Sequence, residues 1–334
     1  MNRCCRALEE TYPMLHTSLI ENLVGRRQFL QSAAGLGAGL GAMAMPGLSG
    51  EAKADGHDAI NFEDPSENLR AYIKLTGNLD PTVETCGWFG GTLYANIGVE
   101  KMVPLVGVEG IGVNRFEPQG NNVYRAFNRE FAVYKDLKTG EYLEDWVNPY
   151  TEERVKVWPI QNLKVMGEVA PIRKQDFDGT IVEFPFKPPW TIQGDKAFSL
   201  LELHAAFPNP MTPEEWPRES AGPINKTSEM FNRMTTLSEL ADPDSLSADY
   251  VGTWVRIGPW LPWMLMGQRE GHIVYRSFMN KNSPVENLPT DLRVYMEKNY
   301  PEFLEAPPAS DWGKPNDSSF SVYMENNEPE PPTS

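Results

Sequence analysis

The chain has 334 residues, with 30 Lys and Arg against 46 Asp and Glu, a formal charge of −16. A chain so acidic, with its basic residues scattered, lacks the clustered cations that grip nucleic-acid phosphates or an anionic membrane surface. A hydrophobic content of 40% with 11% aromatics describes a folded chain rather than a disordered one.

Residues 1–54 read as an address. Arg26 and Arg27 precede an uncharged Gly/Ala-rich stretch, Gln31 to Met45, and the exit Ala52-Lys53-Ala54 places cleavage before Asp55. This resembles a twin-arginine export signal, which implies a periplasmic or secreted protein delivered already folded by the twin-arginine machinery. A membrane anchor is the competing reading, but the run falls short of the ~20 apolar residues that a span requires. Gly35, Gly37, Gly39 and Gly41 loosely imitate a dinucleotide loop, without the strand that should precede one. The long lead with Glu9, Glu10 and Glu21 leaves Met14 as an alternative start. Loss of Cys4 and Cys5 with the signal leaves Cys86 alone, so no intramolecular disulfide is expected.

A helix is expected over Asp64–Leu75, capped by Asp64 or Ser66, with Leu69, Tyr72 and Ile73 on one face. From Trp88 to about Phe207 the pattern turns to short runs of β-branched and aromatic residues broken by turns. Tyr124–Tyr134 reads as a strand, Asp136–Gly140 as a turn with Gly140 left-handed, and Glu141–Val147 as the antiparallel return. Asn148–Thr151 turns into Arg154–Ile160. Further strands are predicted at Gly91–Ile97, Thr180–Phe184, Ser199–Phe207, Tyr250–Ile257 and His272–Met279. Pro208–Pro223 is too proline-rich for regular structure. Lys226–Leu240 carries Met230, Phe231, Met234, Leu237 and Leu240 at helical spacing and reads as a helix, as does Thr290–Asn299 between two prolines. Residues 326–334 read as a disordered acidic, proline-rich tail.

Many short strands with few helices predict a mainly β protein: an antiparallel barrel or sandwich in one domain over residues 55–325. Alternation on Ser199–Phe207 places Glu202 and His204 together, a pair able to move a proton, against the plainer reading of a polar solvent edge. On Tyr250–Gly258, Tyr250, Trp254 and Arg256 share a face, an Arg beside two aromatics suited to gripping a carboxylate or a planar ring, with core packing around an ion pair as the rival. Tyr124, Asn128, Glu130 and Tyr134 share another face with small Ala126 and Ala132, as the lining of a barrel holding a polar group would. The proline-broken run from Gly258 to Gly267 presents Trp260, Trp263, Met264 and Met266, either a buried plug or the wall of an apolar cavity. His57, His204 and His272 have no metal-pair spacing, and there is neither a nucleophile elbow nor a phosphate loop.

Gly107-Val108-Glu109-Gly110, Arg129-Glu130, Thr139-Gly140-Glu141 leading to Trp146, Asn148-Pro149-Tyr150-Thr151, Trp254-Val255-Arg256 and Trp260-Leu261-Pro262-Trp263-Met264 together resemble the domain of unknown function 1838 family of exported bacterial proteins. The resemblance runs from about Asn68 to Pro307 and implies a signal peptide and a single domain. It carries over no catalytic residues.

The sequence therefore predicts an exported, cofactor-free enzyme of isomerase, lyase or hydrolase type acting on a small hydrophobic or aromatic molecule. Glu202 and His204 are the expected proton-transfer pair and Arg256 the anion holder. Tyr124, Glu130, Tyr134, Trp254, Trp260, Trp263 and Met264 are the expected substrate contacts, with no metal. The alternatives are a periplasmic carrier using the same cavity and a structural partner docking through its tryptophan segment.

Overall fold

A computed structural model of the chain describes residues 60–177 and 180–332; the expected signal and its cleavage point lie outside them. Nine strands form one antiparallel sheet. In chain order they are β1 (Thr85–Asn96), β2 (Val103–Gly120), β3 (Val123–Lys135), β6 (Ile160–Val169), β9 (Trp190–Gln193), β10 (Lys196–Pro208), β11 (Ile224–Thr236), β12 (Val251–Gly258) and β13 (His272–Lys281). Their spatial order is β6-β3-β2-β1-β13-β12-β11-β10-β9. The sheet curls into a half-barrel, so the predicted mainly antiparallel β architecture in a single domain is what the chain adopts.

Close backbone approach makes part of this curl possible. A Cβ on Gly91 would stand 2.0 Å from the Arg276 carbonyl oxygen, and one on Gly252 would stand 2.2 Å from that of Asn232. Only glycine lets strands bend together there. Two small hairpins stand apart, β4 (Asp145–Val147) with β5 (Arg154–Lys156), and β7 (Ile172–Phe177) with β8 (Thr180–Pro185).

The concave face is apolar over most of its length. Leu93, Val106, Val108, Tyr134 and Tyr275 belong to its main core. Helix α1 (Pro65–Thr76) starts as expected, with the Asp64 carboxylate accepting from the Ser66 and Glu67 amides at 2.7 and 3.1 Å. Its Leu69 and Ile73 pack against Phe116, Ala126 and Val169. The tryptophan run forms a single 3-10 turn, Pro262–Met264, and Trp263 rests on Tyr134 and Trp146 at ring separations of 5.1 and 5.7 Å. The convex side of β1–β3 is covered by α3 (Thr290–Asn299), where Leu292, Met296 and the following Phe303 meet Ile111, Phe131 and Val133.

Lys226–Leu240 is not a helix. Residues Ile224–Thr236 form β11, paired along its whole length with β10 and for seven residues with β12; only Leu237–Ala241 is helical (α2). Phe231 faces inward while Met230 and Met234 face outward, so apolar residues on both faces of a central strand imitated a helical stripe. The Asp136–Gly140 turn forms as predicted: Asp136 accepts from the Lys138 and Thr139 amides and Gly140 has φ +74°. The return strand does not, because β3 already pairs with β2 and β6; Glu141–Val147 touches β3 only at the Lys135–Tyr142 bridge. The expected tail begins after α4 (Ser319–Asn326), and the Glu330 amide donates to the buried Glu219 carboxylate at 2.8 Å.

Two buried lysines fasten α1. The Lys74 ammonium donates to the carbonyls of Glu239, Leu240 and Asp242, so it caps α2. The Lys281 ammonium donates to the carbonyls of Lys74, Gly77 and Ala248 and to the Ser247 hydroxyl at 2.6–2.9 Å. Lys281→Met would leave these buried acceptors unpaired and is expected to lower stability by about 2–3 kcal/mol, read from urea unfolding; a loss below about 0.5 kcal/mol would refute the fastening role.

Candidate functional site

Between α1 and the packed half of the concave face lies a cavity of about 310 Å³, large enough for a small organic molecule. Its room comes from short side chains on inward positions of β1, β2 and β3: Gly87, Gly112 and Ala126 all line it. A Cβ built on Gly112 would stand 3.9 Å from the Arg129 carbonyl oxygen and from Glu130 Cγ, ordinary contact distances, so that position has room for a side chain. Phe89, Phe231, Tyr250 and Trp254 provide aromatic walls, with Leu201 and Leu203 from β10. Phe231 and Trp254 lie nearly parallel, 19° apart, and Phe89 meets Trp254 edge-on at 5.0 Å.

Apart from the phenols of Tyr72 and Tyr250, four ionisable side chains line this space: Glu130 from β3, Glu229 and Arg233 from β11, and Arg256 from β12. Arg256 and Glu229 are cross-strand partners, Nη1 to Oε1 at 3.5 Å, and the Trp254 indole N–H donates to Glu229 Oε2 at 3.1 Å. Burial alone would push the Arg256 guanidinium down, but Glu229, Tyr275, Tyr134 and Glu130 together hold it above its ordinary value.

Glu130 has a different environment. Burial raises its carboxyl above the ordinary range and Glu229 adds to the rise; the Asn162 and Asn128 amides and Arg256 only partly oppose it. Asn162 Nδ2 donates to Oε2 at 2.9 Å and Asn128 Nδ2 to Oε1 at 3.4 Å, while Asn128 Oδ1 is buried with no partner. Turning that amide over would let Oδ1 accept a hydrogen bond from a neutral Glu130, since the orientation of an amide is set by its hydrogen bonds. The cavity thus holds two carboxyl groups in unlike surroundings, one resisting ionisation and one in an ion pair.

Of the residues singled out in the sequence, Arg256, Trp254 and Tyr250 line the cavity, and so do Glu130, Asn128 and Ala126. Glu202 and His204 do not. They share a face, as alternation predicted, but it is the outer one: they lie opposite Met230 and Ser228, their side chains are 59% exposed, and they pair with each other at 3.3 Å. The inward residues of that strand are Leu201 and Leu203, because here the apolar face lines the cavity. Contrary to the expectation, Glu202 and His204 are therefore not the proton-transfer pair of this cavity. Trp260, Trp263 and Met264 are buried in the main core and not at the cavity, which makes the tryptophan run a plug rather than a ligand wall. Tyr134 likewise belongs to the core, its hydroxyl 2.9 Å from that of Tyr275, and Tyr124 packs beside α1. Cys86 is buried beneath α3, and burial pushes its thiol up to about 12, far from a thiolate nucleophile.

Sequence reasoning missed Glu229, Phe231 and Arg233 because it made their segment a helix. Their i, i+2, i+4 spacing is the strand signal that would have grouped them. Among the described residues no cluster of three or more His, Cys, Asp or Glu is placed to hold a metal, and no helix is long and apolar enough to cross a membrane.

The model of the family described as protein of unknown function (DUF1838) matches residues 83–327, and the chain belongs to that family. Among curated proteins none matches it. The matched span includes every strand of the half-barrel and all four of the cavity's Glu and Arg residues.

Gly112→Val is expected to fill the cavity without straining the backbone: stability should change by less than about 1 kcal/mol in urea unfolding, while retention of any small-molecule ligand is lost. Retained ligand at wild-type occupancy would show that the cavity is not the binding site. Because the folded Glu130 carboxyl titrates above its unfolded value, the folded state binds the extra proton between the two, so stability falls as pH rises through that window. Glu130→Gln has no such proton. The variant should gain on the wild type from about pH 4 upward and then level off, as followed by denaturation midpoints; a constant difference across pH would contradict the raised carboxyl.

Proposed function

We propose that this member of the family is an exported enzyme that performs acid–base chemistry, isomerisation, elimination or hydrolysis, on a small apolar or aromatic molecule held in the half-barrel. The observation that carries the reading is the unlike pair of carboxyl groups facing one aromatic cavity. Glu130, driven toward its neutral form, is suited to give a proton; Glu229, in an ion pair, is suited to take one. Divergent environments on two carboxyls assign the acid and the base in many enzymes.

In this scheme Glu229 removes a proton from the substrate, either from a carbon next to an electron-withdrawing group or from water. Glu130 delivers its proton to the oxygen or leaving group where negative charge develops. Arg256 lies beside both carboxyls in the electrostatic sense, feeling Glu229 first and Glu130 as well, and stabilises negative charge on the reacting atoms. Trp254 holds Glu229 in place through its indole N–H and offers its ring as a stacking face. The steps use side chains alone. The basic pair and Gly/Ala run of residues 26–45 support delivery to the periplasm or beyond in folded form.

The test is mass spectrometry of small molecules that co-purify with the wild type, followed by incubation of the identified molecule with wild type, Glu130→Gln and Glu229→Gln. Conversion by the wild type, reduced about 10²–10⁴-fold in either variant with ligand still bound, is the expected result. Binding without conversion in the wild type would overturn the enzyme reading in favour of a carrier, and conversion undiminished in both variants would overturn the assigned pair.

A further inference from the structure

The charged groups of the cavity are unevenly paired. Arg256 stands against Glu229. Arg233, two positions beyond Phe231 on the same inward face of β11, has no carboxylate within ion-pair distance among the described residues, although it is only 7% exposed. Its Nε and Nη1 are buried without any hydrogen-bond partner. Its guanidinium lies 4.9 Å from the Phe231 ring centre and 5.4 Å from that of Tyr250, so it is held between aromatic faces. Its cross-strand neighbour on β10 is Ser199, whose hydroxyl is also buried and unpartnered, as is that of Thr235, the next inward residue of β11. A guanidinium stays charged at every accessible pH, and a buried charge without a partner is costly. Ring faces and the Tyr250 hydroxyl offset part of that cost, but the Nε and Nη1 donors stay unused.

We infer that Arg233 is the anchor for an anionic group of the ligand, and that the ligand is an elongated monocarboxylate with a flat aryl or conjugated body. This rests on the reading of the cavity as the ligand site and adds its substrate class. Planar oxygens match the in-plane donors of a guanidinium. A dianion such as a phosphate ester is disfavoured, since Glu130 and Glu229 line the same small space. Length follows from the strand. Arg233 and Glu229 are four residues apart on one face, about 14 Å at ~3.4 Å per residue, with Phe231 between them and Trp254 opposite Phe231 on β12. A carboxylate at Arg233 therefore lays the flat body along Phe231 and Trp254 and brings the far end to Glu229 and Glu130.

The experiment is isothermal titration of the full chain with trans-cinnamate and with its neutral isostere trans-cinnamamide, on wild type, Arg233→Met, Arg233→Lys and, on the outer face of the sheet, Glu202→Gln. The wild type should bind the anion at least about tenfold more tightly than the amide. Arg233→Met should erase that preference while keeping amide affinity, Arg233→Lys should restore part of it, and Glu202→Gln should keep it. Equal binding of the two probes by the wild type, binding of neither, or a preference that survives in Arg233→Met would each overturn the inference. The wild-type comparison decides the matter even if Arg233→Met fails to fold. Failure of the catalytic reading is seen separately, as an anion preference that stands in a protein that converts nothing.

Discussion

Everything in this molecule depends on one sheet being bent far enough to have an inside. Nine antiparallel strands left flat would bury one face against nothing, and the apolar positions of β1, β2, β12 and β13 would lie in water. Gly91 and Gly252 allow neighbouring backbones to approach where any side chain would collide with a carbonyl oxygen. Once bent, the concave face is filled over one part by Leu93, Val108, Tyr134, Tyr275 and the tryptophan plug. The remaining part is left open by Gly87 and Gly112 and roofed by α1, whose Tyr72 and Thr76 reach the cavity. The same residue type thus makes the bend possible and leaves the space.

That space imposes its own electrostatics. An aromatic, half-closed cavity weakens the hydration of every charge placed in it, so each ionisable group must find a partner, lose its charge or wait for a ligand. The four cavity residues divide among those outcomes. Glu229 and Arg256 pair across β11 and β12. Glu130 resists ionisation, although two asparagine amides donate to it. Arg233 has neither a carboxylate nor the option of neutrality. Glu229 is offset by Arg256, whereas the Arg233 guanidinium is unpaired and lies at the opposite end of Phe231 from the two carboxyls. The polarity of the cavity along β11 is therefore a property of the protein before any ligand arrives, and it gives a bound molecule a head and a tail.

The fold was largely legible because local chemistry agreed with tertiary need. The Asp64 cap, the Asp136–Gly140 turn, the proline-bounded α3 and the alternation in Ser199–Phe207 all carry their conformations in a few residues. Lys226–Leu240 was misread for the opposite reason. A strand between two others, with apolar residues outward at Met230 and Met234 and inward at Phe231, shows no clean period of two. The Glu141–Val147 return failed because strand partnership is a competition over the whole chain, and β6, arriving later in sequence, took that edge of β3.

The site was only half legible, and the missing half follows from what alternation does not encode. Period-two spacing correctly grouped Glu202 with His204 and Trp254 with Arg256, but a group has two sheet faces available to it. The sequence of one strand does not say which face its neighbours will enclose. On β12 the aromatic and cationic set went inside; on β10 the polar set went outside, because Leu201 and Leu203 were the better lining for an apolar cavity. The deciding information lay on β11, whose Glu229, Phe231 and Arg233 register with Arg256, Trp254 and Gly252 and extend the same polar and aromatic stripe across two strands. A charged residue on one strand gains meaning from its cross-strand partner: Arg256 opposite Glu229 is a balanced pair, whereas Arg233 opposite Gly252 and Ser199 is a buried cation facing small residues and open space. Register, more than composition or spacing, turned a pair of ordinary arginines into one that is satisfied and one that is not.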